Sequence, residues 1–228
     1  MTPPTQPTPG SPGALARLRA RFALSEDQVE LAGLSLKLPE LADPLAYIES
    51  RGENDLPYWT KLWPAALVLA GLAAQLPPAS EPVLELGAGL GAPGLAAAAK
   101  GRRVVLSDLD GDALEFSRAA AEMNGISDLV TVTALDWTNP DPELGRFRTI
   151  LGAEILYQPT IYPVLVEVLA KLLAQDGTAF ISHEERPFAI GFFDLARERF
   201  LVRRTQRQLR GPEGETTVYL YALTHRKA

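Results

Sequence analysis

Val83-Leu84-Glu85-Leu86-Gly87-Ala88-Gly89-Leu90-Gly91 is the stretch that decides the fold. It reads as a short apolar strand with an acid near its end, running into a glycine-rich turn. Glycines there allow positive φ and let a ligand approach the main chain with no Cβ in the way. Pro93, just beyond, suits the first turn of a helix. Strand, tight turn, helix: the order describes a loop that holds a nucleotide cofactor.

A glycine pattern alone is weak, so its neighbourhood matters. A second strand, Arg103-Val104-Val105-Leu106-Ser107, ends in Asp108. That is close to the ~20-residue spacing of an acid that binds ribose hydroxyls. A dinucleotide would set a pyrophosphate over the turn, whereas S-adenosylmethionine would set an ammonium and a sulfonium there. Unit charges ~4 Å apart at an effective dielectric near 20 interact by about 4 kcal/mol. An anionic Glu85 at the turn therefore favours S-adenosylmethionine. The alternative is that Glu85 only ties down the following loop.

Bulk properties narrow the class. At 228 residues and 46% hydrophobic, the chain can bury a full core, and one α/β domain with a small appendage is the simplest division. There is no cysteine, which excludes disulfides and thiolate metal sites, and His183 and His225 show no metal-ligand spacing. A formal charge of −6 opposes a large nucleic-acid footprint. The apolar run Leu62–Ala74 is too short to span a bilayer. These features lead us to expect a cytoplasmic monomer, with no metal and no nucleic-acid or membrane partner.

Along the chain, residues 1–13 read as a disordered, proline-rich tail and 14–58 as a helix and hairpin appendage. The hairpin strands are Gln28–Leu31 and Ser35–Leu38, while Pro39, Pro44 and Pro57 break up the chain from there to Trp59. Arg17, Arg19 and Arg21 read as a solvated helix face. Residues 59–228 carry the main domain. A helix opens at Trp63-Pro64, and strands fall at 82–86, 103–108, 129–134, 148–153 and 178–182. Helices at 93–100, 110–124 and 160–173 separate them, and Pro187 opens another. Phe200–Leu209 and Thr216–His225, joined by a short turn, are antiparallel. The expected fold is therefore α/β and Rossmann-like. Its seven-stranded, mostly parallel sheet closes with an antiparallel hairpin and has helices on both faces.

Open α/β sheets bind ligands outside the carboxyl ends of their strands. The cofactor set read from those ends is Glu85, Gly87, Gly89, Gly91, Asp108, Asp136, Trp137 and Ala153, with Trp63 as a cover. Asp108 would accept ribose hydroxyls, or else simply favour a helix N-terminus. Asp136 would accept the adenine amino group while Trp137 packs on the ring, or the two form a loop acid and a core tryptophan. Glu154 and Tyr157 are the expected catalytic pair. An anion beside a lysine would oppose its deprotonation, so Glu154 is assigned to orienting substrate or cofactor. Tyr157 would line the channel, its face favouring the sulfonium. Their alternative is a strand-end acid and a packed tyrosine. His183 reads as structural rather than as a base.

Four motifs together resemble a known family: Leu62-Trp63-Pro64-Ala65-Ala66, the Glu85–Gly91 loop, Asp136-Trp137, and Glu154-Ile155-Leu156-Tyr157. The chain is similar, over about 28–226, to the seven-β-strand protein-lysine methyltransferases of the methyltransferase-like group. Many members carry aspartate where this chain has Glu154. The resemblance implies that Glu85, the loop glycines, Asp108 and Trp137 contact S-adenosylmethionine. It places Glu154 and Tyr157 at the border of the acceptor site, with a lysine-presenting protein or a small amine as acceptor. Three rivals stay open: a small-molecule N-methyltransferase, a dinucleotide oxidoreductase, and a cofactor-binding protein without turnover.

Overall fold

The computed structural model describes residues 12–52, 56–211 and 214–226. Most of the expected tail, 1–11, and the middle of the last turn, 212–213, lie outside the described residues. The chain opens with α1 (Ala14–Arg21), the strands β1 (Leu24–Leu31) and β2 (Leu34–Leu41), and α2 (Pro44–Arg51). Next come α3 (Pro64–Ala73), β3 (Val83–Leu86), α4 (Ala92–Ala99), β4 (Val104–Asp108), α5 (Gly111–Met123) and β5 (Val130–Ala134). The remainder is β6 (Phe147–Ala153), α6 (Tyr162–Leu172), β7 (Leu173–Glu184), α7 (Ile190–Ala196), β8 (Phe200–Gly211) and β9 (Gly214–His225).

Among the described residues, seven strands form one sheet in the order β5-β4-β3-β6-β7-β9-β8. β3 to β7 are parallel, and β9 lies antiparallel between β7 and β8. This is the expected architecture. Strand order reverses at β3, so the glycine turn after it sits at the topological switch point where such sheets bind ligands.

Local chemistry explains the elements nearest that point. Asp110 caps α5, its Oδ1 accepting from the Asp112 and Ala113 N–H groups at 2.8 and 3.3 Å. α4 is built from small residues, and a Cβ on Gly94 would run into Leu106 and Glu85 Oε2. The helix therefore lies close against β3 and β4. α3, α4 and β2 cover one face of the sheet through Leu36, Leu38, Leu69, Leu95 and Leu151. α6 and α7 cover the other through Ile150, Leu165, Leu169, Phe192 and Phe200.

Four differences from the sequence reading have physical causes. Pro44 starts α2 rather than breaking the chain, because Asp43 Oδ1 accepts from Ala46 N–H at 3.0 Å and proline fits the first turn. The hairpin is longer than 28–38: β1 and β2 pair from Leu24–Leu41 to Leu31–Leu34, with Pro39 opposite Glu26. A two-stranded sheet is all edge, so a proline there sacrifices little. β7 begins directly after α6 and runs twelve residues, beyond the expected 178–182. The arginines of α1 are not merely solvated: Arg17 pairs with Glu115, Arg19 with Glu26 and Arg21 with Asp112, at 2.8, 3.0 and 2.5 Å.

Candidate active site

The turn after β3 takes the expected shape. Gly87, Gly89 and Gly91 have φ of 59, 54 and 77°. Space is tight at all three, and a Cβ on Gly91 would lie 2.9 Å from Leu106. A Cβ on Gly87 would lie 3.0 Å from Ile155 and 3.4 Å from the Trp137 ring, and one on Gly89 would lie 3.1 Å from Trp59 Cβ. Ser117 Oγ donates to the Gly89 carbonyl at 2.7 Å, and Ala88 N–H donates to the Ser107 carbonyl at 2.9 Å. The loop is thus pinned from α5 and β4.

Glu85 departs from expectation. Its side chain is 1% exposed, and Oε2 accepts from Gly94 N–H at 2.7 Å. It points into the interior under the first turn of α4, not into the cleft. Burial pushes its carboxyl up to about 8, so near neutrality it is largely uncharged. Glu85 therefore shapes the loop rather than attracting a cationic donor. The reason is geometric: its neighbours in register, Leu106 and Leu151, face the same covered side of the sheet.

The acid at the turn is Asp108 instead. Its Oδ2 accepts from Gly89 N–H at 2.9 Å and its Oδ1 from Asp110 N–H at 3.0 Å. A pyrophosphate would need such a loop N–H, and here one is already taken by a carboxylate. Each carboxylate oxygen retains a second lone pair for a hydroxyl donor. Desolvation raises the Asp108 pKa and also that of Tyr157, which the Asp108 charge raises further.

After β5, Asp136 is exposed, and its Oδ1 accepts from both the N–H and the hydroxyl of Thr138, at 2.8 and 2.7 Å. Those bonds hold its carboxyl below the usual range. Trp137 lies half-buried against Gly87 and Ile155. Bare glycine backbone, a flat indole beside it and carboxylates with spare acceptor capacity suit a nucleoside with a ribose diol and an amino group.

The other wall follows β6. Ala153 ends that strand opposite Ser182, and Glu154 comes next with φ of 54°, left-handed for a residue with a Cβ. Such strain costs on the order of 1–2 kcal/mol and persists where neighbours over-determine it. Here they do. Glu154 N–H donates to the Ser182 carbonyl at 2.8 Å, and Oε1 accepts from Glu184 N–H at 2.6 Å. Oε2 accepts from Arg186 through Nε and Nη2, both at 3.0 Å. Burial raises the Glu154 pKa, opposed by the Glu184 amide and Arg186.

Tyr157, 38% exposed, stacks at a tilt on Tyr58 with ring centroids 5.2 Å apart. Trp63 donates its indole N–H to the Tyr58 carbonyl at 2.8 Å. Arg186 and Lys61 lie 5.8 and 5.0 Å from the Trp63 ring centroid. Glu154, Tyr157, Trp63, Tyr58 and Arg186 thus make one aromatic and ionic mouth. Sequence reading missed Tyr58, Trp59 and Arg186; only the unusual Pro57-Tyr58-Trp59 run could have flagged the first two. His183 is 2% exposed, stacked on Tyr221, with Nδ1 2.6 Å from the Glu184 carbonyl. Burial lowers its pKa, so it is a packed, neutral ring rather than a base.

Comparison with known proteins fits this geometry. The lysine methyltransferase family profile matches residues 46–202. The chain belongs to the lysine methyltransferase family. It is 34% identical over 134 residues to the protein N-lysine methyltransferase METTL21A of Xenopus tropicalis, covering 55% of this chain and 60% of that protein. It is 29% identical to mouse EEF1A lysine methyltransferase 3, covering 73% and 72%. The histone-arginine methyltransferase METTL23 of Xenopus laevis is 37% identical over 45% of this chain and 46% of its own length. This chain therefore spans about 60% or less of the length of some curated relatives. In structure, it resembles an S-adenosylmethionine-dependent methyltransferase fold from Streptococcus mutans, with a TM-score of 0.63 and 14% identity over 89% of this chain and 56% of that one. TYW2 of Pyrococcus horikoshii, solved with MeSAdo, gives 0.58 at 17% identity over 90% and 72%.

Proposed function

We propose that this protein transfers a methyl group from S-adenosylmethionine to the Nζ of a lysine in another protein. The observation that carries this reading is Glu154. A strained, immobilised carboxylate borders an aromatic mouth one strand away from a glycine turn suited to a nucleoside. Family membership and the protein-lysine relatives support the same reaction. In this reading Asp108, Asp136, Trp137 and the turn glycines hold the cofactor, with Ala153 at the floor and Trp63 at the edge. When bound, the cofactor supplies an electrophilic methyl on a sulfonium.

The chain's own residues set the acceptor. Lysine must arrive neutral, and an ammonium near pKa 10.4 needs roughly 4 kcal/mol of bias to lose its proton near pH 7.5. The Glu154 charge is offset by Arg186, so it opposes that loss less than a free carboxylate would. Its role is positional: it fixes the loop that presents Tyr157. Burial keeps the Tyr157 hydroxyl protonated, able to accept from the amine while its ring walls the path. A cytoplasmic, monomeric enzyme is part of this proposal. Among the described residues no helix is long and apolar enough to cross a membrane.

The test is to incubate the protein with methyl-labelled cofactor and lysate, then map the label by mass spectrometry. Methyl-lysine in a defined protein is expected. Label confined to arginine or to the low-mass fraction would overturn the acceptor assignment. NAD binding without S-adenosylmethionine binding would overturn the donor.

A further inference from the structure

The last two strands carry a charge pattern at odds with the rest of the chain. β8 holds Arg203, Arg204, Arg207 and Arg210 and no acid, in a protein of formal charge −6. β8 also ends the strand order, so one edge of its backbone faces away from the sheet.

Register locates this edge relative to the acceptor mouth. Glu184, whose N–H holds Glu154, stands opposite Val218, and Val218 stands opposite Arg207. With strands ~4.8 Å apart, the Arg207 backbone lies roughly 10 Å from that of Glu184. The β7–β9 ladder stops at Glu184, while β8 and β9 stay paired as far as Gly211 and Gly214. The tip of the hairpin therefore projects past the rim on the acceptor side. Tyr219 Oη donates to Glu185 Oε1 at 3.3 Å, which ties the hairpin to the loop bearing Arg186.

Two of the four arginines are already committed. Arg210 pairs with Glu215 at 2.6 Å, and Arg204 lies 5.1 Å from the Tyr219 ring centroid. Arg203 and Arg207 are exposed, and among the described residues no carboxylate pairs with either. Charges on a free edge can serve only to discourage strand pairing. Arg207 stands level with the acceptor mouth and Arg203 follows it along the same strand, level with Phe180, which gives the pair a second use.

We propose that the free edge of β8 binds an acidic, extended segment of the protein substrate next to the lysine that is methylated. This rests on the protein-lysine reading above. An added strand gains main-chain hydrogen bonds along the edge, and acids on one of its faces meet Arg203 and Arg207, which four-residue spacing puts on the same face of β8. A long polyanion fits less well, since beyond this arm it would face a predominantly negative protein.

Fluorescent peptides with a central lysine, flanked either by acids or by serine and glycine, test this with the full chain and S-adenosylmethionine. Binding is read by anisotropy. The acidic peptide is expected to bind about tenfold more tightly at low salt, with the gap shrinking at high salt. The double variant R203E/R207E should erase the preference while leaving melting temperature and cofactor affinity unchanged. Equal binding of both peptides, or a preference that survives R203E/R207E, would overturn the proposal. So would an oligonucleotide that binds more tightly than the acidic peptide through the same arginines. Methylation of the peptide lysine is scored in the same samples. Acid-selective binding without methyl transfer would sink the lysine reading and leave the docking edge standing.

Discussion

Arg186 grips Glu154 through two nitrogens, Nε and Nη2, each 3.0 Å from the same carboxylate oxygen. The guanidinium also lies 5.8 Å from the Trp63 ring centroid. One cation thus joins the loop after β7 to both the acid after β6 and the indole before α3. It is the clasp of the aromatic mouth.

Removing the clasp should expose its strength. Arg186→Ala leaves a mostly buried carboxylate with its amide partner only, and hydrogen bonds to charged groups are worth about 1.5–3 kcal/mol. A loss of that order is expected in urea unfolding. Glu154 should also become harder to ionise, moving the acid limb of the kcat/KM profile to higher pH. Arg186→Lys should restore part of the stability, because one donor replaces two.

The left-handed backbone at Glu154 predicts an ordering of variants. Glu154→Gly relieves a strain of about 1 kcal/mol that Glu154→Ala keeps. Thermal unfolding should find the glycine variant the more stable by that amount. Both should lose methyl transfer, since each removes the carboxylate that fixes the Tyr157 loop. If alanine proved as stable as glycine, the strain would have no energetic content.

Asp108 serves the loop and, in the proposed function, the cofactor. Asp108→Ala frees Gly89 N–H and should weaken S-adenosylmethionine binding by about 1–3 kcal/mol, read by calorimetry. Asp108→Asn keeps an acceptor for Gly89 and should lose less. Unchanged affinity in both would remove Asp108 from the cofactor site.

Glu85 predicts a pH signature. Its carboxyl lies at about 8 in the folded chain against 4.5 for the ordinary group. Between those values the folded protein holds a proton that the unfolded chain has released. Its contribution to stability is therefore full below pH 4.5 and is lost as pH rises through 8. The loss should reach at most about 1.4 kcal/mol per pH unit. Glu85→Gln keeps an acceptor for Gly94 and cannot ionise, so denaturation midpoints across this range should flatten.

The sheet was legible because its signals are local and periodic. Apolar runs, glycine turns and the Asp110 cap mark where each strand and helix begins, and the closing hairpin announces its direction by its short turn. α2 was hidden because Pro44 reads alike as a breaker and as a helix opener; only the position of Asp43 before it decides. Within the site, the glycines, Asp108 and the Glu154–Tyr157 spacing stand on strand ends, where topology brings them together. Direction was harder. Sequence places Glu85 at the turn but does not say which side of β3 it occupies, and the packing of α4 made that choice. Arg186 joins Glu154 across 32 residues, through a loop with no periodicity to read.

Asn124 reaches back across 87 residues to clasp Lys37 twice, accepting from its N–H at 3.0 Å and donating to its carbonyl at 2.7 Å. During synthesis the first hairpin leaves the ribosome long before the end of α5 exists to receive it. The β1–β2 segment must therefore wait in the nascent chain, with the Lys37 backbone unclasped, until roughly ninety more residues have been made.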